Sequence, residues 1–135
     1  LSETDLVALY DLADIYPAFS LSGGFEKNML EAIARGVVTI AVNKGSWTDF
    51  MPDFLLVPYK REVNIFPPGA MPNVIHVGKG YEIDLEKAYD KIKEVIENLD
   101  DYKARVREYF EKIKHRYTWE NVGEMFARVV LKYFS

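Results

Sequence analysis

Apolar residues recur along this chain in two rhythms, one helical and one strand-like. Near the front, Leu6, Leu9, Tyr10 and Ala13 share a helical face. Ser2 and Asp5 stand at capping-box spacing, with Asp in the acidic place. "DIYPAF" at 14–19 reads as a short strand. Its Pro17 predicts an irregular or locally unpaired stretch, because proline cannot donate to a sheet ladder. Phe25, Met29 and Ile33 are four apart, with Leu30 beside them, and predict a helix over 25–35 that stops at Gly36. "VVTIAV" at 37–42 carries no charge on either face and predicts a buried parallel strand. Strand, helix and strand with short joins form a right-handed βαβ unit, with 37–42 central and parallel to 14–19.

The pattern then loosens and returns as helix. "FLLVP" at 54–58 and "NVIHV" at 73–77 are further strand candidates, and "REVNIFPPGAMPN" at 61–73 is a proline-rich loop without periodicity. Leu85, Ala88, Tyr89, Ile92, Ile96 and Leu99 keep helical spacing behind Asp84 as N-cap, and "ENLDD" marks a stop. A second helix carries Tyr102, Val106, Tyr109, Phe110 and Ile113. Thr118 caps a third, whose stripe is Trp119, Val122, Phe126, Val129 and Tyr133. These aromatics read as core, so that the last stripe either covers the sheet or sits in an interface. The basic residues between Lys103 and Arg116 alternate with Glu108 and Glu111 and read as a solvated helix face. The fold class is therefore α/β: a Rossmann-like parallel sheet followed by C-terminal helices.

Composition narrows the function classes. A length of 135 residues suits one domain with a real core. A net charge of -4 gives no reason to expect nucleic acid or a basic membrane patch. The chain has no cysteine, which removes disulfides, thiolate metal sites and thiol catalysis. No apolar run approaches the roughly 20 residues that span a bilayer, and no signal peptide is visible, so a cytoplasmic location is expected. Abundant Lys, Glu and Tyr without glutamine lean towards a thermophilic source. The first residue is Leu1, and the first amphipathic helix begins almost at once, as expected of a chain cut from a longer one.

Candidate chemistry lies in "SGGFEKNMLEAIARGV" at 22–37. Gly23 and Gly24 precede the helix and follow a strand, at the carboxyl end where open α/β sheets bind ligands. A helix N-terminus offers unpaired N–H groups and about half a positive charge, and glycine lets a phosphate approach them. Glu31 lies about seven residues further on, roughly 10 Å along a helix axis, and shares a face with Lys27, Asn28 and Arg35. That suits a ribose on the carboxylate with its diphosphate at the helix start. The competing reading has Glu31 paired with Arg35 at i,i+4 and the glycines serving only the turn.

The stretch "LVALYDLADIYPAFSLSGGFEKNMLEAIARGVVTIAVNKGSWTDF" resembles the second-domain signature of GT-B glycosyltransferases of retaining family 4, the glycosyl transferase group 1 proteins. Tyr10, Ala13, Asp14 and Ser20 match its first part, and Gly24, Phe25, Leu30, Glu31, Ala32 and Gly36 its second. Gly45 and Asp49 are similar to a later loop and its acid, and "YTWENVGEMFARVV" to the closing helix. The resemblance implies a partial C-terminal donor-binding domain over 1–135, with the N-terminal acceptor domain and the start of the donor domain outside this chain. It implies a nucleotide-sugar as substrate, with no cofactor and no metal. Around Gly23 and Gly24, the amides of Phe25, Glu26, Lys27 and Asn28 would hold the diphosphate, and Glu31 the ribose. His76 and His115 are read as structural.

The chain departs from that signature at two site positions. Gly23 stands where the family has the first of two glutamates, and Glu26 stands where it has a glycine. Five residues of helix would turn Glu26 about 140° from Glu31, which argues against Glu26 as a substitute. Two other readings accompany the glycosyltransferase: a non-catalytic Rossmann-like module that has lost the donor site, and a GT-B-fold nucleotide-sugar epimerase.

Overall fold

The structure, a computed structural model, describes residues 2–65 and 78–134. The chain opens with helix α1 (Glu3–Leu12), closed at its start by a full capping box between Ser2 and Asp5. Strand β1 (Ile15–Ala18), helix α2 (Lys27–Ala34) and strand β2 (Val38–Val42) follow. β1 runs parallel to β2, with Ile15 opposite Val38 and Ala18 opposite Ala41. β2 also pairs in parallel with the very short β3 (Leu56–Val57), which gives the sheet order β1-β2-β3. The expected central strand is therefore in place. All five residues of β2 are buried, because α2, α3 and α4 all pack against it.

Several expectations need correction. The ladder runs unbroken through Pro17, which pairs with Ile40. Among the described residues β1 is an edge strand, and the missing N–H of Pro17 is tolerated there. α2 begins at Lys27, not at Phe25, and Phe25 lies before the helix with 60% of its surface exposed. Most of "FLLVP" is spent on a 3₁₀ turn over Asp53–Leu55, leaving two residues of strand. The first part of the expected loop is instead strand β4 (Tyr59–Asn64), which forms an antiparallel hairpin with β5 (Lys79–Ile83). The strand expected at 73–77, with His76, lies outside the described residues.

The remaining helices are α3 (Leu85–Glu97), α4 (Leu99–Ile113) and α5 (Trp119–Phe134). Asp84 caps α3 as expected, accepting from the amides of Glu86 and Lys87. α3 buries Ala88 and Val95, while Leu85, Tyr89 and Ile96 of the expected stripe face outward. α4 buries Tyr102, Val106 and Ile113. Thr118 does cap α5, accepting from the Asn121 amide at 3.3 Å. The α5 aromatics are not core: none of its residues is buried. α5 packs chiefly on the short 3₁₀ turn (Lys114–Tyr117) that leads into it.

Candidate functional site

The parallel β1–α2–β2 unit brings the α2 N-terminus to the carboxyl edge of the sheet. Trp47 closes that edge beneath, wholly buried, its indole N–H donating to the Val42 carbonyl at 2.6 Å. The approach to α2 is pinned from the side by the hairpin. Tyr81 donates its amide to the Leu21 carbonyl at 2.7 Å. A Cβ on Gly80 would stand 2.8 Å from that same oxygen, so β5 can meet the segment only through a glycine.

The two glycines ahead of α2 differ. Neither has a positive φ; that conformation belongs to Gly36, Gly45 and Gly78. The turn itself therefore does not require glycine at 23 or 24. At Gly23 a Cβ would lie 1.7 Å from Oε1 of Glu26, whose flexible side chain folds back over it and would have to swing away. Glu26 is the N-cap with φ -82 and ψ 76, outside the helix, so the expected 140° separation from Glu31 does not apply. At Gly24 nothing stands within 4 Å of a built Cβ, and no contact within the chain explains the glycine.

The start of α2 is open. α1 and α3 have side chains bonded to their first-turn amides, whereas Glu26 makes no side-chain cap hydrogen bond and the first turn of α2 has no acidic residue. The Lys27 amide is taken by the Phe25 carbonyl at 3.0 Å. Those of Phe25, Glu26 and Asn28 make no hydrogen bond among the described residues. They therefore face solvent or a ligand, with the positive end of the helix dipole behind them.

Glu31 stands one turn into α2, about 6 Å along the axis from Lys27, closer than a helix from Phe25 would place it. It does not pair with Arg35. Lys27 reaches it at 3.0 Å, and the Tyr10 hydroxyl donates to it at 3.3 Å. Arg35 instead forks onto Asp11 with two bonds of 2.7 Å, which ties α2 to α1. The bond to the Glu31 carboxylate raises the Lys27 pKa above its ordinary value. Burial, and then the same carboxylate, raises that of Tyr10. The Lys27 side chain is 79% exposed, so water screens the pair and a ligand can displace it cheaply.

Glu31 lines two depressions. One, of about 260 Å³, lies between α1 and α2 beside Tyr10, Lys27 and Arg35. The other, of about 390 Å³, lies between the start of α2 and the start of α5. The sequence pattern pointed to Gly23–Asn28 and Glu31. It missed Tyr10 as a partner of Glu31, although Tyr10 sits in the matched "YDLAD". It also missed the hairpin brace, since "KGYEI" has no strand-like alternation. Among the described residues, no group of three or more His, Cys, Asp or Glu could hold a metal ion, and no helix is long and apolar enough to cross a membrane.

Two curated viral proteins are similar to this chain. "Uncharacterized protein 356" of Sulfolobus islandicus rod-shaped virus 1 is 33% identical over 132 residues, covering 96% of this chain and 36% of that protein. "Putative glycosyltransferase 45" of Sulfolobus islandicus filamentous virus (isolate Iceland/Hveragerdi) is 26% identical over 136 residues, covering 90% of this chain and 37% of that protein. The chain thus spans about a third of the length of these relatives. No family model and no solved structure matches it.

Proposed function

We propose that this chain is the donor-binding part of a glycosyltransferase, taking a nucleotide-sugar whose diphosphate sits on the open start of α2 and whose ribose hydroxyls donate to Glu31. The observation that carries the reading is Gly24: a glycine with no conformational need and no neighbour, beside free amides at a helix N-terminus. The absence of a Cβ there leaves room for an oxyanion at the backbone. The viral relative's printed name supports the same activity. Lys27 would turn from Glu31 to the phosphates as the ribose takes over the carboxylate. Glu26 puts a carboxylate in the space that a side chain at Gly23 would enter, and in this reading it faces the donor sugar. The acceptor side would lie in a part of the polypeptide like the unmatched two thirds of the relatives.

Calorimetry with a nucleoside diphosphate tests this. Gly24→Val should weaken binding at least tenfold while leaving the melting temperature unchanged, because its side chain meets only open space. Glu31→Ala should weaken binding about ten- to a hundredfold, the worth of roughly 1.5–3 kcal/mol for a bond to a charged group. Wild-type affinity in Gly24→Val would end the phosphate assignment.

A further inference from the structure

Glu31 has a cation on either side of it along α2, Lys27 four residues before and Arg35 four residues after. Helix physics favours the second. A glutamate placed four residues ahead of a cation pairs better than one placed four behind it, and a cation gains from lying at the helix C-terminus. Arg35 can also take a carboxylate with two parallel bonds, where a lysine gives one point contact. Glu31 and Arg35 line the same depression between α1 and α2, so nothing bulky separates them. The observed partner of Glu31 is nevertheless Lys27, at 3.0 Å. Arg35 points its fork at Asp11 of α1, with Nε 2.7 Å from Oδ1 and Nη2 2.7 Å from Oδ2.

We infer that Asp11 is a positioning residue that keeps the Glu31 carboxylate open to a ligand by drawing Arg35 away from it. The inference rests on the reading that Glu31 holds the ribose. With Arg35 engaged by Asp11, an incoming hydroxyl has only the exposed Lys27 side chain to displace from Oε1 of Glu31, and the Tyr10 hydroxyl can stay on Oε2. Without Asp11, Arg35 folds back along its own helix onto Glu31. The ligand then competes with a two-bond guanidinium fork in place of a single ammonium contact. The same Asp11–Arg35 fork also ties α1, none of whose residues is buried, to α2. A tether is broken equally from either end, whereas a lure for Arg35 matters only while Arg35 is present. That asymmetry separates the two roles.

The test measures binding of adenosine diphosphate, uridine diphosphate and inorganic pyrophosphate to the intact protein by calorimetry. Asp11→Ala should weaken nucleotide binding roughly two- to fivefold, the range of an exposed ion pair. The direction is diagnostic, because removing a negative charge near an anion site would by simple attraction strengthen binding. Pyrophosphate, which has no ribose, should bind Asp11→Ala no more weakly than wild type. Arg35→Gln should leave nucleotide affinity within about twofold of wild type. The double variant Asp11→Ala/Arg35→Gln should return to that level, because no guanidinium remains to close Glu31. Equal losses in Arg35→Gln and Asp11→Ala would overturn the inference and leave the fork as a tether for α1. Unchanged nucleotide affinity in Asp11→Ala, with binding still lost in Glu31→Ala, would overturn it and spare the ribose assignment. Nucleotide affinity untouched by Glu31→Ala, or wild-type protein that binds neither nucleotide, would remove both.

Discussion

Helices α2 and α5 both carry apolar residues at helical spacing, and they meet opposite fates. In α2, Met29, Ala32 and Ile33 are buried, with Met29 and Ala32 fully so. In α5, Trp119, Val122, Phe126, Val129 and Tyr133 are all exposed. Connectivity makes the difference. α2 is the crossover between two paired parallel strands, so its apolar face is laid on the sheet by the chain itself. α5 comes after α2, α3 and α4 have already reached β2, and its chief neighbour is the turn before it. A helical period tells which side chains share a face; what covers that face depends on what remains to be covered. In the proposed reading, the polypeptide beyond the matched third of the relatives covers the part of this stripe from Phe126 to Tyr133.

The largest expected effect lies on the covered side. Met29→Ala removes a fully buried side chain from the contact between α2 and the sheet. It should lower unfolding stability by about 2–5 kcal/mol, the range for such truncations when the surroundings cannot close the gap. In urea melts the midpoint should fall with the slope unchanged. A loss below about 1 kcal/mol would show that α2 is no more firmly covered than α5, and the comparison would fail.

What could be read in the sequence follows the same division. The β1–α2–β2 unit was legible because burial on both faces leaves an uncharged run, Val37 to Val42, and because Gly36 ends the helix with φ +80. Asp84 was legible because a cap needs only local partners. The β4–β5 hairpin was not, since β4 reads "YKREVN" and is almost wholly exposed, with no apolar alternation to betray it. It is held by pairs that only register brings together, such as Arg61 on Glu82 at 2.9 Å and the Tyr59 and Tyr81 rings at 5.3 Å. In α3 the expected stripe included Ala88, which is buried, but it left out the buried Val95 and took in Leu85, Tyr89 and Ile96, which are exposed. At the site, Gly24 and Glu31 were visible as residue types in order. The folded-back Glu26 was not, because its direction depends on a non-helical N-cap that spacing cannot reveal.

A middle-sized effect separates the start of α2 from that of another covered helix. Asp84→Ala removes the side-chain acceptor of two α3 amides and should cost about 1 kcal/mol, within a usual 0.5–2. Glu26→Ala at the matching position of α2 removes no cap bond and should change stability far less. Paired denaturant melts check this. Equal losses would mean that the α2 start is closed by Glu26 and is not open to a ligand.

The smallest effect is expected on α5, and it is the sharpest test of the comparison. Phe126 is 70% exposed, and Phe and Ser have nearly equal helix propensities. Phe126→Ser therefore removes apolar area that water already reaches, without weakening the helix. In the 135-residue chain its stability change should stay within about 0.5 kcal/mol, as for surface substitutions away from packed features. The same substitution should also reduce any concentration-dependent self-association seen by light scattering, because it interrupts the stripe between Val122 and Val129. A loss above about 2 kcal/mol that is independent of protein concentration would show the stripe to be covered within a single chain, and the contrast with α2 would then lie in which residues do the covering.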